Sequence, residues 1–90
     1  EAASVRARLL HFRAQGGAEV DLVLEGPKGR LVGIEVKASS TIESGDLSGL
    51  REFASLAGAK FHRGIVLYGG TEIVPFGENL HAIPVSWLWS

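Results

Sequence analysis

Two short segments of this chain put charge where the surrounding residues read as sheet: Glu19-Val20-Asp21 and Glu35-Val36-Lys37. The types present are carboxylate, carboxylate and primary amine. Paired carboxylates are hard oxygen ligands, and Mg²⁺ is usually held by one or two of them while water or substrate phosphate fills its remaining positions. An ammonium beside such a pair could orient or deprotonate an attacking water and stabilise charge developing on phosphorus. The chain has no cysteine, which removes disulfides, thiolate nucleophiles and cysteine-based zinc sites. Any metal would use carboxylates or the three histidines.

These residues need a sheet to position them, and the sequence supplies one. Leu9 to Arg13 is a short strand candidate, closed by a turn at Gln15-Gly16-Gly17. Glu19 to Glu25 is a second strand, Gly26-Pro27-Lys28-Gly29 a second turn, and Arg30 to Ala38 a third strand, which together form a meander. After a polar loop from Ser39 to Ser44, Leu47, Leu50, Phe53, Ala54 and Ala57 recur at helical spacing. This predicts a helix over Asp46 to Ala57, with Ser44 or Asp46 as N-cap and Gly58 as stop. Gly64 to Tyr68 is a nearly unbroken apolar run of strand length, expected to be covered on both faces. Glu72 to Pro75 and Leu80 to Ile83 are two further strand candidates, and Val85 to Trp89 closes the chain as a short helix or cap.

A three-residue hairpin loop at Pro27-Lys28-Gly29, with Gly29 left-handed, sets the register of the second and third strands. Glu25 then lies opposite Leu31, Val23 opposite Gly33, Asp21 opposite Glu35 and Glu19 opposite Lys37. Alternation places Val20, Leu22, Leu24, Val32, Ile34 and Val36 on one apolar face, expected to meet the helix. Glu19, Asp21, Glu35 and Lys37 fall on the other face, away from the core. Like charges directly opposed on a sheet are destabilising unless something neutralises them, so Asp21 and Glu35 call for a cation or a proton. A similar register around Gly16 sets His11 opposite Asp21 and Arg13 opposite Glu19, as accessories to the same cluster.

Blander readings stand beside these. Glu35 and Lys37 fit an ordinary solvated strand face, Glu19 a structural salt bridge with Lys37 or Arg13, and His11 a surface strand position. Ser39 could meet phosphate, and turn chemistry explains it as well. Gly64, Gly69 and Gly70 suit tight backbone geometry around a buried strand. Trp87 and Trp89 could stack on bases, but aromatics at a chain end more often pin that end to the core. His62 and His81 receive no role.

Ninety residues make one small domain spanning residues 1–90, α/β in class with a mixed sheet. No run approaches the roughly 18 apolar residues of a membrane helix, which points to a soluble, cytoplasmic chain. A net charge of −1 argues against gripping nucleic acid by bulk charge, so DNA binding would be local or shared with a partner. The start at Glu1 and the lack of methionine read as a piece of a longer protein.

An Asp near the start of one strand, then Glu-x-Lys late on the next, followed by a helix and another strand, resembles the PD-(D/E)xK nuclease superfamily. Here it reads Asp21, then Glu35-Val36-Lys37. More closely, "LLHFRAQGGAEVDLVLE", "LVGIEVKAS", "RGIVLYGG" and "HAIPVSWLW" resemble the nuclease-like C-terminal domain of unknown function found in prokaryotic AAA-type ATPases. The resemblance implies a restriction-endonuclease-like αβββαβ core, Asp21 and Glu35 as ligands of Mg²⁺ or Mn²⁺, and Lys37 as the catalytic lysine. It further implies phosphodiester hydrolysis on DNA and an attached N-terminal ATPase module; a homo-oligomer is compatible with it. The motif's Pro is Val20 here, and the first helix of the core is missing or hinted at only by Glu1 to Ala7. No phosphate-binding G-x-x-x-x-G-K-[ST] loop is present, so an ATPase would lie outside this chain. The alternative is a catalytically inactive nuclease-like module that binds DNA or protein and regulates the ATPase.

Overall fold

The computed structural model describes residues 8–13 and 19–89. The expected turn at Gln15-Gly16-Gly17 and the hint of a first helix over Glu1 to Ala7 lie outside the described residues.

Among the described residues six strands form one mixed sheet: β1 (Arg8–Arg13), β2 (Glu19–Glu25), β3 (Leu31–Lys37), β4 (Phe61–Tyr68), β5 (Val74–Gly77) and β6 (Leu80–Pro84). Their spatial order is β1-β2-β3-β4-β6-β5. The first three make the expected antiparallel meander, β4 runs parallel to β3, β6 runs parallel to β4, and β5 is the antiparallel edge. Among the described residues one α-helix, α1 (Ser48–Ala57), provides the crossover from β3 to β4. The architecture is therefore mixed α/β.

The β2–β3 hairpin follows the loop chemistry. A 3₁₀ turn at Pro27–Gly29 closes it, with Gly29 at φ 74° and Lys28 also left-handed at φ 66°. Glu25–Leu31 and Val23–Gly33 are paired as the three-residue loop requires. The helix begins at Ser48, two residues later than the expected Asp46, because a 3₁₀ turn at Ser44–Leu47 precedes it. Gly58 ends it in the left-handed region at φ 60°, the conformation glycine adopts at least cost.

The core lies where α1 meets the sheet. Leu47 and Leu50 are fully buried, Phe53 nearly so, and Phe53 stacks edge-on against Phe12 and Phe61. Each such burial is worth about 1.5–3 kcal/mol.

The sheet face that receives α1 is the reverse of the one the alternation pattern predicts. A Cβ at Gly33 would stand 2.9 Å from Leu50 Cδ2 and 3.0 Å from Phe53 Cδ2, so the helix lies over Gly33. Val23, Gly64, Val66 and Tyr68 are buried on that face, with Ala82 beside Val66. Leu22, Leu24, Val32 and Ile34 occupy the other face, where Val36 is 61% exposed. Val20 nevertheless joins the core, because the β1–β2 register shifts between Leu10 and Phe12. Leu10 pairs with Val23 and Phe12 with Val20, so β2 carries one extra residue.

β4 is correspondingly buried on one side only. Its buried residues are Gly64, Val66 and Tyr68, while Ile65 and Leu67 are half-buried. The tail strands appear as expected within a residue or two, and Val85–Trp89 is a 3₁₀ turn. Trp87 is 55% exposed, and the Trp89 side chain lies outside the described residues.

Candidate functional site

Charge collects at the C-terminal end of β3. The β2–β3 ladder runs from Glu25–Leu31 to Leu22–Ile34 and stops one pair short of Asp21–Glu35 and three short of Glu19–Lys37. The extra residue in β2 bends that strand at this point. The Val36 N–H, left without a rung, donates instead to Asp21 Oδ2 at 2.9 Å. One carboxylate oxygen of Asp21 is thereby tied to the sheet backbone.

Glu35 and Lys37 follow Gly33 at two-residue steps and share its helix-covered face, in register with Val66 and Tyr68 of β4. The expectation that this face points away from the core is thus corrected. Both residues stand at its rim, where β3 runs past the packed part of α1. Glu35 is half-buried, and its Oε2 is buried without a hydrogen-bond partner. Loss of water raises the Glu35 pKa above its ordinary 4.5, the neighbouring Asp21 charge raises it further, Lys37 opposes this, and Asp46 adds to the rise.

Lys37 Nζ is 2.9 Å from Asp46 Oδ1. Asp46 sits in the 3₁₀ turn that leads into α1, and its Oδ2 accepts the Glu43 N–H at 2.9 Å while the Glu43 side chain accepts the Asp46 N–H. The backbone hydrogen bond from Glu43 and the bond from Lys37 hold the Asp46 carboxyl below its ordinary 3.8. Asp46 is the site residue that sequence reasoning missed. The expected N-cap, Ser44 or Asp46, is corrected: Glu43 is the N-cap of the 3₁₀ turn with Asp46 as its capping-box partner, and the pairing of Asp46 with Lys37 depends on where the loop returns over the sheet.

The remaining candidates separate. Arg13 pairs with Glu19 across β1–β2 as expected, whereas His11 faces the bulged pair Asp21–Leu22 rather than Asp21 alone. The side chains of His11, Arg13 and Glu19 lie outside the described residues. The Ser39 hydroxyl donates to the Thr41 carbonyl at 2.9 Å and accepts the Thr41 N–H at 3.2 Å, which is turn chemistry. Gly69 donates to the Ser39 carbonyl, and a Cβ there would stand 3.3 Å from that oxygen, so its role is close backbone approach. A cavity of about 430 Å³ opens at the other end of the hairpin, between Leu24, Pro27, Arg30, Val32 and His62, and includes none of the charged cluster.

The donor set suits a hard divalent cation. A buried carboxylate oxygen without a partner is costly to keep, and a cation would satisfy it. Asp21, whose charge reaches Glu35, retains a second oxygen not used by Val36. Among the described residues no three His, Asp or Glu side chains gather closely enough to hold a metal themselves. A cation here would take two carboxylates and complete its shell with water or substrate oxygens.

Comparison with curated proteins and with solved structures yields no match. A family described as "Domain of unknown function (DUF4143)" matches residues 1–88, and the chain belongs to that family.

Proposed function

We propose that this domain is a metal-dependent nuclease domain of the PD-(D/E)xK kind, with a restriction-endonuclease-like core, attached to an AAA-type ATPase and hydrolysing phosphodiester bonds in DNA. The observation that carries the reading is the unpartnered, buried Glu35 oxygen beside Asp21, at the end of the strand that also presents Lys37. The succession of three-stranded meander, helix and parallel strand agrees with that core, whose first helix would fall outside the described residues.

Asp21 and Glu35 would hold Mg²⁺ or Mn²⁺, which supplies Lewis acidity and a more acidic bound water. Asp21 contributes the oxygen that Val36 leaves free, so its orientation is set by the sheet. Lys37 carries three N–H donors, of which one is directed to Asp46; the others can meet a phosphate oxygen as charge builds there. The water's hydroxyl would add to phosphorus as the bond to the leaving sugar oxygen breaks, and that oxygen would depart with a proton that balances the one the water gives up. Exposed Asp21 and Lys37 leave the site open to a bulky substrate.

The Lys37–Asp46 pair favours a second reading, because it draws the ammonium toward a structural carboxylate. On that reading the domain binds DNA or protein and regulates the ATPase without hydrolysis. Plasmid nicking by the full-length protein separates the two. The first requires nicking that depends on Mg²⁺ or Mn²⁺ and disappears in Lys37→Ala; DNA binding indifferent to divalent metal, with no nicking, selects the second.

A further inference from the structure

Glu35 and Lys37 are alternate residues of β3, about 6.6 Å apart at the usual strand rise, and their side chains share a face. A lysine stem spans that distance easily. The default arrangement for a half-buried carboxylate with an ammonium so near is an ion pair between the two, since it relieves the desolvated oxygen. Instead, Glu35 Oε2 has no partner and Lys37 Nζ lies on Asp46.

Asp46 is placed to compete because it is itself held twice. Its backbone N–H donates to the Glu43 side chain, and its Oδ2 accepts the Glu43 N–H, which leaves Oδ1 for Lys37. The 3₁₀ turn bearing it runs directly into α1, whose Leu50 and Phe53 press on Gly33, two residues before Glu35. The same packing that seats the helix therefore sets Asp46 over the end of β3.

We propose that Asp46 is a positioning residue, which draws the Lys37 ammonium onto its own carboxylate and so leaves the inner Glu35 oxygen open for a divalent cation. This rests on the metal site proposed above. Without Asp46, Lys37 swings to Glu35, and an incoming cation must displace it.

The test is calorimetric titration with Mn²⁺ alone of the wild type, Asp46→Asn, Lys37→Met and the double variant. The asparagine carbonyl keeps the cap on Glu43, so the fold is retained. Asp46→Asn is expected to weaken Mn²⁺ binding about 10–100-fold, as loss of an outer-sphere partner does. Removing Lys37 as well is expected to restore binding to the Lys37→Met level. A double variant as weak as Asp46→Asn would make Asp46 itself a ligand and overturn the proposal, as would unchanged affinity in Asp46→Asn. Metal-free crystals of Asp46→Asn give a second reading, with Lys37 Nζ expected within hydrogen-bond distance of Glu35. Lys37 in solvent and Glu35 Oε2 still unpartnered would overturn the proposal. Wild-type protein that takes no Mn²⁺ would overturn the proposed function, while those crystals still decide the hold of Asp46 on Lys37.

Discussion

The Asp21 carboxylate accepts the backbone N–H of Val36 at 2.9 Å, immediately beyond the last rung of the β2–β3 ladder at Leu22–Ile34. A side chain thus completes what the backbone leaves open. The bond also sets the orientation of Asp21 beside the half-buried Glu35, at the end of β3 where the two strands part.

That dual role separates stability from binding. Asp21→Asn retains a carbonyl oxygen for Val36 and is expected to stay within about 0.5 kcal/mol of the wild type in urea unfolding. Asp21→Ala strands the N–H and is expected to lose about 1 kcal/mol. Given the proposed metal site, both are expected to weaken Mn²⁺ binding. An alanine variant as stable as the wild type would show that the bond contributes nothing.

Glu35 gives stability a distinctive pH dependence. Burial and the Asp21 charge raise its pKa above 4.5, so the folded protein keeps this proton to higher pH than the unfolded chain does. The contribution is complete below 4.5 and is lost as pH rises through the folded value. Glu35→Gln removes the penalty, so its melting temperature is expected to exceed the wild type's at about pH 8 and to converge with it near pH 4. Asp46 acts with the opposite sign: its lowered pKa gives stability above 3.8 that disappears as pH falls through the folded value. Thermal melts across pH check both, and a Glu35→Gln variant that melts below the wild type at pH 8 would contradict the burial account.

Much of this arrangement is legible in the sequence. The Pro27-Lys28-Gly29 loop determines the pairing of Val23 with Gly33, and from it the shared face of Glu35 and Lys37 follows by alternation. The face the helix covers is not legible from alternation, because the aliphatic count favours Leu22, Leu24, Val32 and Ile34 while α1 packs over Gly33. Gly33 carried the contrary signal: a glycine inside a strand often marks the close approach of another element. The bulge that brings Val20 inward leaves no local signature. Nor does the Lys37–Asp46 pair, which forms only when the loop after β3 returns across its end.

Gly33 offers a direct check on the face assignment. A Cβ there would press on Leu50 and Phe53, whereas one at Gly26 meets nothing within 4 Å. Gly33→Ala is expected to cost about 1–3 kcal/mol by overpacking, and Gly26→Ala to be close to neutral. Equal urea midpoints for the two variants would place the helix elsewhere.

The metal site proposed at Asp21 and Glu35 requires both carboxylates to take one divalent cation. Its most direct test is calorimetric titration of the wild type, Asp21→Asn and Glu35→Gln with Mn²⁺ at neutral pH. One site is expected in the wild type, abolished or strongly weakened in each variant, with folding intact. Wild-type binding that both variants retain, or no binding by a folded protein, would contradict it.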